Sequence, residues 1–158
     1  MSSSSRLTRG LQGGLLAGAT VAAFYFVGDL LHLAPLSTPT ALGHAFLGPW
    51  AVELDFSIIS QAANGVMYGA RLLTVTALHF FAFGLLTVGA VWLFDRFDVP
   101  LNIVSGAVFG LVGYTTVIGI GLAMVSASVV AGLPGIGSAA VANLLGGGVM
   151  GLYMQIGD

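Results

Sequence analysis

"LQGGLLAGATVAAFYFVGDLLHL" runs from Leu11 to Leu33, and its reading decides the fold. No charged residue interrupts it before Asp29. A helix needs about 20 apolar residues to cross roughly 30 Å of hydrocarbon. A membrane-spanning strand would be shorter and would alternate apolar with polar residues. This stretch is long and continuously apolar, so it predicts a membrane helix. A cleaved signal peptide is the competing reading. The run is longer than a signal-peptide core, and Asp29 and His32 stand where a small-residue cleavage motif belongs. The expectation is therefore a retained span.

Three more segments follow the same rule, at about 68–94, 101–130 and 136–156. Of the 158 residues, 57% are hydrophobic and 6% charged, against about 25% charged in soluble domains. A water-facing surface cannot be built from so few charges. The expected fold is all-α: a single integral membrane domain of four transmembrane helices, with lipid as the main solvent. Four basic residues cannot neutralise a nucleic-acid backbone, so no nucleic-acid partner is expected. There is no Cys, which excludes disulfides, thiolate metal sites and covalent c-type haem attachment.

Arg6 and Arg9 precede the first span, Arg96 lies between the second and third, and only Arg71 falls on the opposite side. The positive-inside rule then puts both termini in the cytoplasm. Pro100 is expected at the start of the third helix, and "AGLPGIG" (131–137) reads as a hairpin before the fourth.

The segment 34–67 is too long and too apolar to be plain loop. "STPTALGHAFLG" (37–48) reads as a short interfacial helix. Ser37 or Thr38 would be its N-cap, Pro39 its first residue and Gly48 its stop. Asp55 would cap a second short helix ending at Asn64-Gly65. Trp50 is the expected interfacial anchor, and His44 an interfacial or solvated side chain. Glu53 and Asp55 with His44 form an irregular acidic group. That spacing is not a metal-ligand pattern, and no metal site is expected.

Glycines recur four apart: Gly14 and Gly18, Gly106 and Gly110, Gly147 and Gly151. This spacing puts small residues on one helix face and lets backbones approach closely. Gly146-Gly147-Gly148 has no Lys beside it, which removes a phosphate-loop reading.

Polar groups inside a span are functional candidates because each is costly in lipid. Counted from the ends of the expected helices, Asp29, His32, His79 and Asn143 all fall in the outer half of the bilayer. Three readings follow. The group can be a polar clasp in which Asp29 accepts a hydrogen bond from His79 or Asn143. His32 and His79 can be paired haem ligands. Asp29 and His79 can serve a proton or ion path, although the inner half offers few polar groups to continue it. The clasp asks least of the sequence, because it needs only pairs. No catalytic constellation and no cofactor is expected; haem is disfavoured, and bound lipid is compatible with the chain.

"DLLHLAPLSTPTALGHAFLG" (29–48), followed by "ALHFFAFGLL" (77–86), resembles small uncharacterised four-helix bacterial inner-membrane proteins. The likeness covers about residues 28–84. It implies the same topology and a bacterial inner-membrane location, and it carries no activity. The expected function is a non-catalytic accessory or structural subunit within a larger membrane complex of respiratory or photosynthetic type. A small transporter or channel component using Asp29 and His79 is the alternative, and a haem-binding electron carrier a further one.

Overall fold

A computed structural model of the chain describes residues 3–34, 36–47, 58–124 and 135–157. The described elements are α1 (Ser3–Leu31), α2 (Ser37–Leu47), α3 (Ile58–Arg96), α4 (Ile103–Phe109), a π-helical turn (Gly110–Tyr114), α5 (Thr115–Ala123) and α6 (Ile136–Ile156). Among the described residues there is no strand. Four stretches are long and apolar enough to cross a membrane: Ser5–Leu31, Gly65–Arg96, Ile103–Ala123 and Ile136–Ile156. The chain is an all-helical, multi-pass membrane protein, and its apolar flanks contact the bilayer.

α1 is the central helix. It packs on α3 along one flank and on α6 along another, while α4 packs on the far side of α6. α2 lies across α3 and α1. The third span meets α3 through side chains: the Phe94 and Phe109 rings are 5.8 Å apart, and Phe83 and Tyr114 are 4.5 Å apart. The core is accordingly small, centred on Ala17, Val21, Phe83, Tyr114, Ala142 and Met150.

Both described termini lie at one end of the bundle. Arg6 at the start of α1 bridges Asp95 at the end of α3 at 2.5 Å, and Gly157 sits against the Arg9 guanidinium. α2 marks the opposite end.

Several boundaries differ from expectation. α1 begins at Ser3, well before Leu11; Arg6, Leu7 and Thr8 are exposed, so polar side chains there cost the helix little. The short helix expected to end at Asn64-Gly65 does not exist as a separate piece: residues 58–64 are the first turns of α3. A Gly inside a helix costs only about 1 kcal/mol. No Pro follows to stop the chain, so Asn64-Gly65 is passed through. α3 has 39 residues, about 58 Å, and must tilt or project beyond the hydrocarbon.

The third helix starts at Ile103, not at Pro100. Asn102 caps it, accepting from the Val104 and Ser105 N–H groups at 2.9 and 3.0 Å, while Ser105 Oγ accepts from the Asn102 N–H. This capping box ("NIVS") was legible and overrides the proline signal. The expected cap at Asp55, the carboxylate Glu53, the anchor Trp50 and most of the 131–137 hairpin lie outside the described residues.

The π-turn adds one residue to the third helix. Two consecutive residues can then both reach inward partners. Tyr114 reaches Thr87 and Met150, and Thr115 reaches Asn143.

Candidate functional site

The polar residues do not form one cluster. Asp29 is buried near the end of α1, only 6% exposed, and its carboxylate faces the start of α2. It accepts from Ser37 Oγ at 2.8 Å, from the Thr38 N–H at 2.9 Å and from Thr38 Oγ1 at 2.6 Å. The N-cap of α2 is thus supplied from another helix, and neither Ser37 nor Thr38 caps it. Leu36, in the left-handed region with φ 65°, turns the chain so that this first turn meets Asp29. An anion at a helix N-terminus also complements the helix dipole. Pro39 is the third residue of α2, where a missing N–H still leaves no helix bond unmade. His44 lies on α2; nothing further is assigned to its side chain.

His32 is exposed and its Nδ1 lies 2.7 Å from the Gly28 carbonyl. His79 Nε2 lies 3.0 Å from the Gly18 carbonyl. The two rings therefore sit on carbonyls ten residues apart on α1, about 15 Å along its axis. Two imidazoles on one iron must come within about 4 Å of each other. The geometry does not bring these two together as a haem pair.

His79 is also deeper than its place in the sequence implied. Gly18 is near the middle of the Ser5–Leu31 span, so His79 is at mid-membrane. The same depth follows from α3: its apolar span runs Gly65–Arg96, and His79 is fourteen residues into it. Asn143 is fully buried on α6; its Nδ2 donates to Thr115 Oγ1 at 3.2 Å, and its Oδ1 has no partner among the described residues. The expected contact of Asp29 with His79 or Asn143 is absent, because these groups stand at different levels and face different neighbours.

The inner part of the bundle is more polar than expected. Thr87 and Tyr114, both buried, share a hydrogen bond, and the Tyr114 hydroxyl reaches Met150 Sδ at 3.4 Å. Tyr153 donates to Gln12 at 2.6 Å. Thr87 was the residue missed. A lone Thr in "LLTVGAVW" gives no sign that it faces a tyrosine on another helix.

The spaced glycines sit at close backbone approaches. A Cβ on Gly106 would lie 2.7 Å from Gly151 Cα, and one on Gly110 would lie 2.8 Å from Gly147 Cα. From the facing side, one on Gly147 would lie 2.7 Å from Gly110 Cα, and one on Gly151 would meet the Asn102 carbonyl. On α1, a Cβ on Gly14 would lie 2.7 Å from Gly84 Cα, and Gly18 lies against the Phe80 ring.

Two cavities flank Asp29. The larger, about 690 Å³, opens between α1 and α6 beside Phe24, His32 and Ser138. The smaller, about 220 Å³, is a half-open groove between α1, α2 and α3, with Asp29 at one end and His79 at the other. Among the described residues no group of three or more His, Asp or Glu side chains is placed to hold a metal ion. Comparison with protein-family models, with curated proteins and with solved structures returned no match.

Proposed function

We propose that this protein is a non-catalytic accessory subunit that docks against another helix in a larger membrane complex of respiratory or photosynthetic type. One observation carries the reading. The four-residue glycine spacing at the internal interfaces recurs on α3 at Gly65 and Gly69, where a Cβ would meet nothing among the described residues. Val66 and Met67 beside them are exposed. Small residues four apart on a membrane helix favour close approach by a second helix. The polar side chains support the same reading, since Asp29, His79 and Asn143 each bind a neighbour within the chain.

The resemblance to bacterial inner-membrane proteins supports that location. Arg6, Arg9 and Arg96 gather at the end that holds both termini, which supports cytoplasmic termini.

The test is gentle purification of the tagged chain from its native membranes. A second polypeptide should co-purify in fixed ratio with wild type, and Gly65→Leu/Gly69→Leu should lose it while keeping the helical spectrum and thermal midpoint of the isolated chain. Recovery of the wild-type chain alone, or only with copies of itself, overturns the reading.

A further inference from the structure

We infer that the groove between α1 and α6 seats a hydrocarbon chain of one phospholipid from the leaflet at the α2 end, with preference for a head that carries an ammonium group. The inference concerns the isolated chain and does not depend on a partner subunit.

The groove starts where the two helices part. At mid-membrane α6 lies directly on α1: a Cβ on Gly146 would stand 2.9 Å from the Ala17 carbonyl oxygen. Toward the α2 end the gap takes a whole side chain to cross, and the Tyr25 hydroxyl meets Ser138 there. The open space runs along α1 from Thr20 to His32. That length of helix covers about 18 Å. One leaflet contributes about 15 Å of the hydrocarbon. The groove therefore reaches from the middle of the membrane to the level of the lipid heads, which is the course of one acyl chain.

Width and lining select among occupants. A volume of about 690 Å³ over that length gives a mean cross-section of about 38 Å², or about 7 Å across. An α-helix with its side chains is about 10–12 Å wide, so a helix of a second copy or of another subunit does not fit. A hydrocarbon chain does. The walls between the ends are apolar, with Ala23, Phe24 and Val27 on α1 and Leu145 on α6. Between two helices a chain gains dispersion contacts on two sides, where a chain on a convex flank has them on one.

Gly28 points to the same occupant independently. It lines the groove, and a Cβ on it would meet nothing among the described residues. Gly14 and Gly18 on the same helix are explained by α3, which lies against them. No described helix lies against Gly28, although glycine weakens a helix interior. Its bare backbone instead widens the groove one turn below His32.

The polar end sets the head. The Asp29 carboxylate stands there beside His32. The chain's four basic residues are Arg6, Arg9, Arg71 and Arg96, and none lines the groove. No guanidinium is placed there to hold a phosphate, and the carboxylate is negative. An ammonium head complements that charge, and a net-anionic head opposes it.

The full chain, immobilised in detergent, is equilibrated with equal amounts of dioleoyl phosphatidylethanolamine and dioleoyl phosphatidylglycerol and then washed. Retained lipid is extracted and counted by mass spectrometry. Wild type should keep one lipid per chain, with the ethanolamine lipid about threefold ahead at low salt. That preference should fade near 1 M salt, where the screening length is about 3 Å. Asp29→Asn should remove the preference and keep the lipid. Gly28→Trp, which fills the groove, should abolish retention of both lipids while the helical spectrum and the thermal midpoint in lipid-free detergent stay as in wild type. Should Gly28→Trp fail to fold, Ala23→Trp from the same wall decides, and should Asp29→Asn fail, the salt dependence does. A wild-type chain that keeps no lipid, undiminished retention by the tryptophan variant, or an equal or reversed head preference at low salt would overturn the inference.

Discussion

Between α4 and α6 two backbones touch, glycine against glycine, with no side chain between them. Around α2 the ties are hydrogen bonds: Ser37 and Thr38 donate to the Asp29 carboxylate, and the Thr40 and Tyr68 hydroxyls share one across to α3. Both regions answer the same problem. Lipid is as apolar as a leucine side chain, so burying leucines gives helices little reason to associate. Close backbone contact uses dispersion over many atom pairs. A polar tie uses a few strong hydrogen bonds where water is scarce. The two solutions differ in what they leave behind. Backbone contact leaves no room, and a polar tie leaves gaps, which is why both cavities border Asp29.

The comparison breaks most sharply at Gly110. A Cβ there would overlap the Asn143 carbonyl and lie 2.8 Å from Gly147 Cα, both backbone atoms that no rotamer change can move. Gly110→Leu should separate α4 from α6 and cost more than about 3 kcal/mol, enough to prevent isolation of a folded chain. Gly110→Ala should still lower the thermal midpoint. If Gly110→Leu unfolds with a wild-type midpoint in detergent, the tight interface is not what holds these helices.

Asp29→Ala tests the other region. It leaves the N–H and hydroxyl of buried Thr38, and the hydroxyl of exposed Ser37, without their acceptor. The expected cost is about 2 kcal/mol, confined to α2. Limited proteolysis should cut within 34–47 faster, while a cysteine cross-link engineered between α4 and α6 forms at the wild-type rate. Loosening of both regions together would show that they are one cooperative unit.

The two regions were unequally legible in the sequence. The α4/α6 interface can be read from spacing alone, because Gly106, Gly110, Gly147 and Gly151 repeat at the helical period and only close approach uses that pattern. The spans were legible for a similar reason, since length and apolarity over about 20 residues leave few alternatives. The polar residues were visible, but their partners were not. Asp29 was expected to meet His79 or Asn143, and its acceptors instead serve residues eight and nine positions along the chain. Depth was computed from helix ends, and ends are the least determined part of a helix pattern. The apolar span that holds His79 begins at Gly65, three residues before the expected 68, which alone moves His79 about 5 Å inward. The Thr87–Tyr114 bond depends on the π-turn, and no local signal in "FGLVGYTT" announces that extra residue.

That bond gives the next prediction. Tyr114→Phe leaves the Thr87 hydroxyl unpaired in a buried site and should cost about 1 kcal/mol. Thr87→Val should cost a similar amount. The double variant should cost less than the sum of the two, because neither partner then remains unsatisfied. Equilibrium unfolding of the four chains in one detergent measures the coupling. Additive losses would mean that the hydroxyls do not act on each other.

Arg6 and Asp95 should contribute least, although they carry full opposite charges at 2.5 Å. Their side chains are 49% and 39% exposed, so each ion keeps much of its solvent whether or not the other is present. Exposed pairs contribute about 0.2–1 kcal/mol, and part of that is lost in fixing two flexible side chains. Arg6→Gln should therefore change stability by less than about 0.5 kcal/mol, and the difference should vanish near 1 M salt, where the screening length falls to about 3 Å. Insertion should hold as well, since Arg9 and Arg96 remain at the same end and the orientation rule counts basic residues, not ion pairs. Asp29 makes the contrast informative. Both carboxylates end a span of the bundle, but one is buried against an N–H that has no other acceptor and the other faces a partner that water can replace. A loss above about 2 kcal/mol for Arg6→Gln would mean that the terminal end is held by charge as firmly as the α2 end. Burial of the acceptor would then not be what separates a structural carboxylate from an incidental one in this bundle.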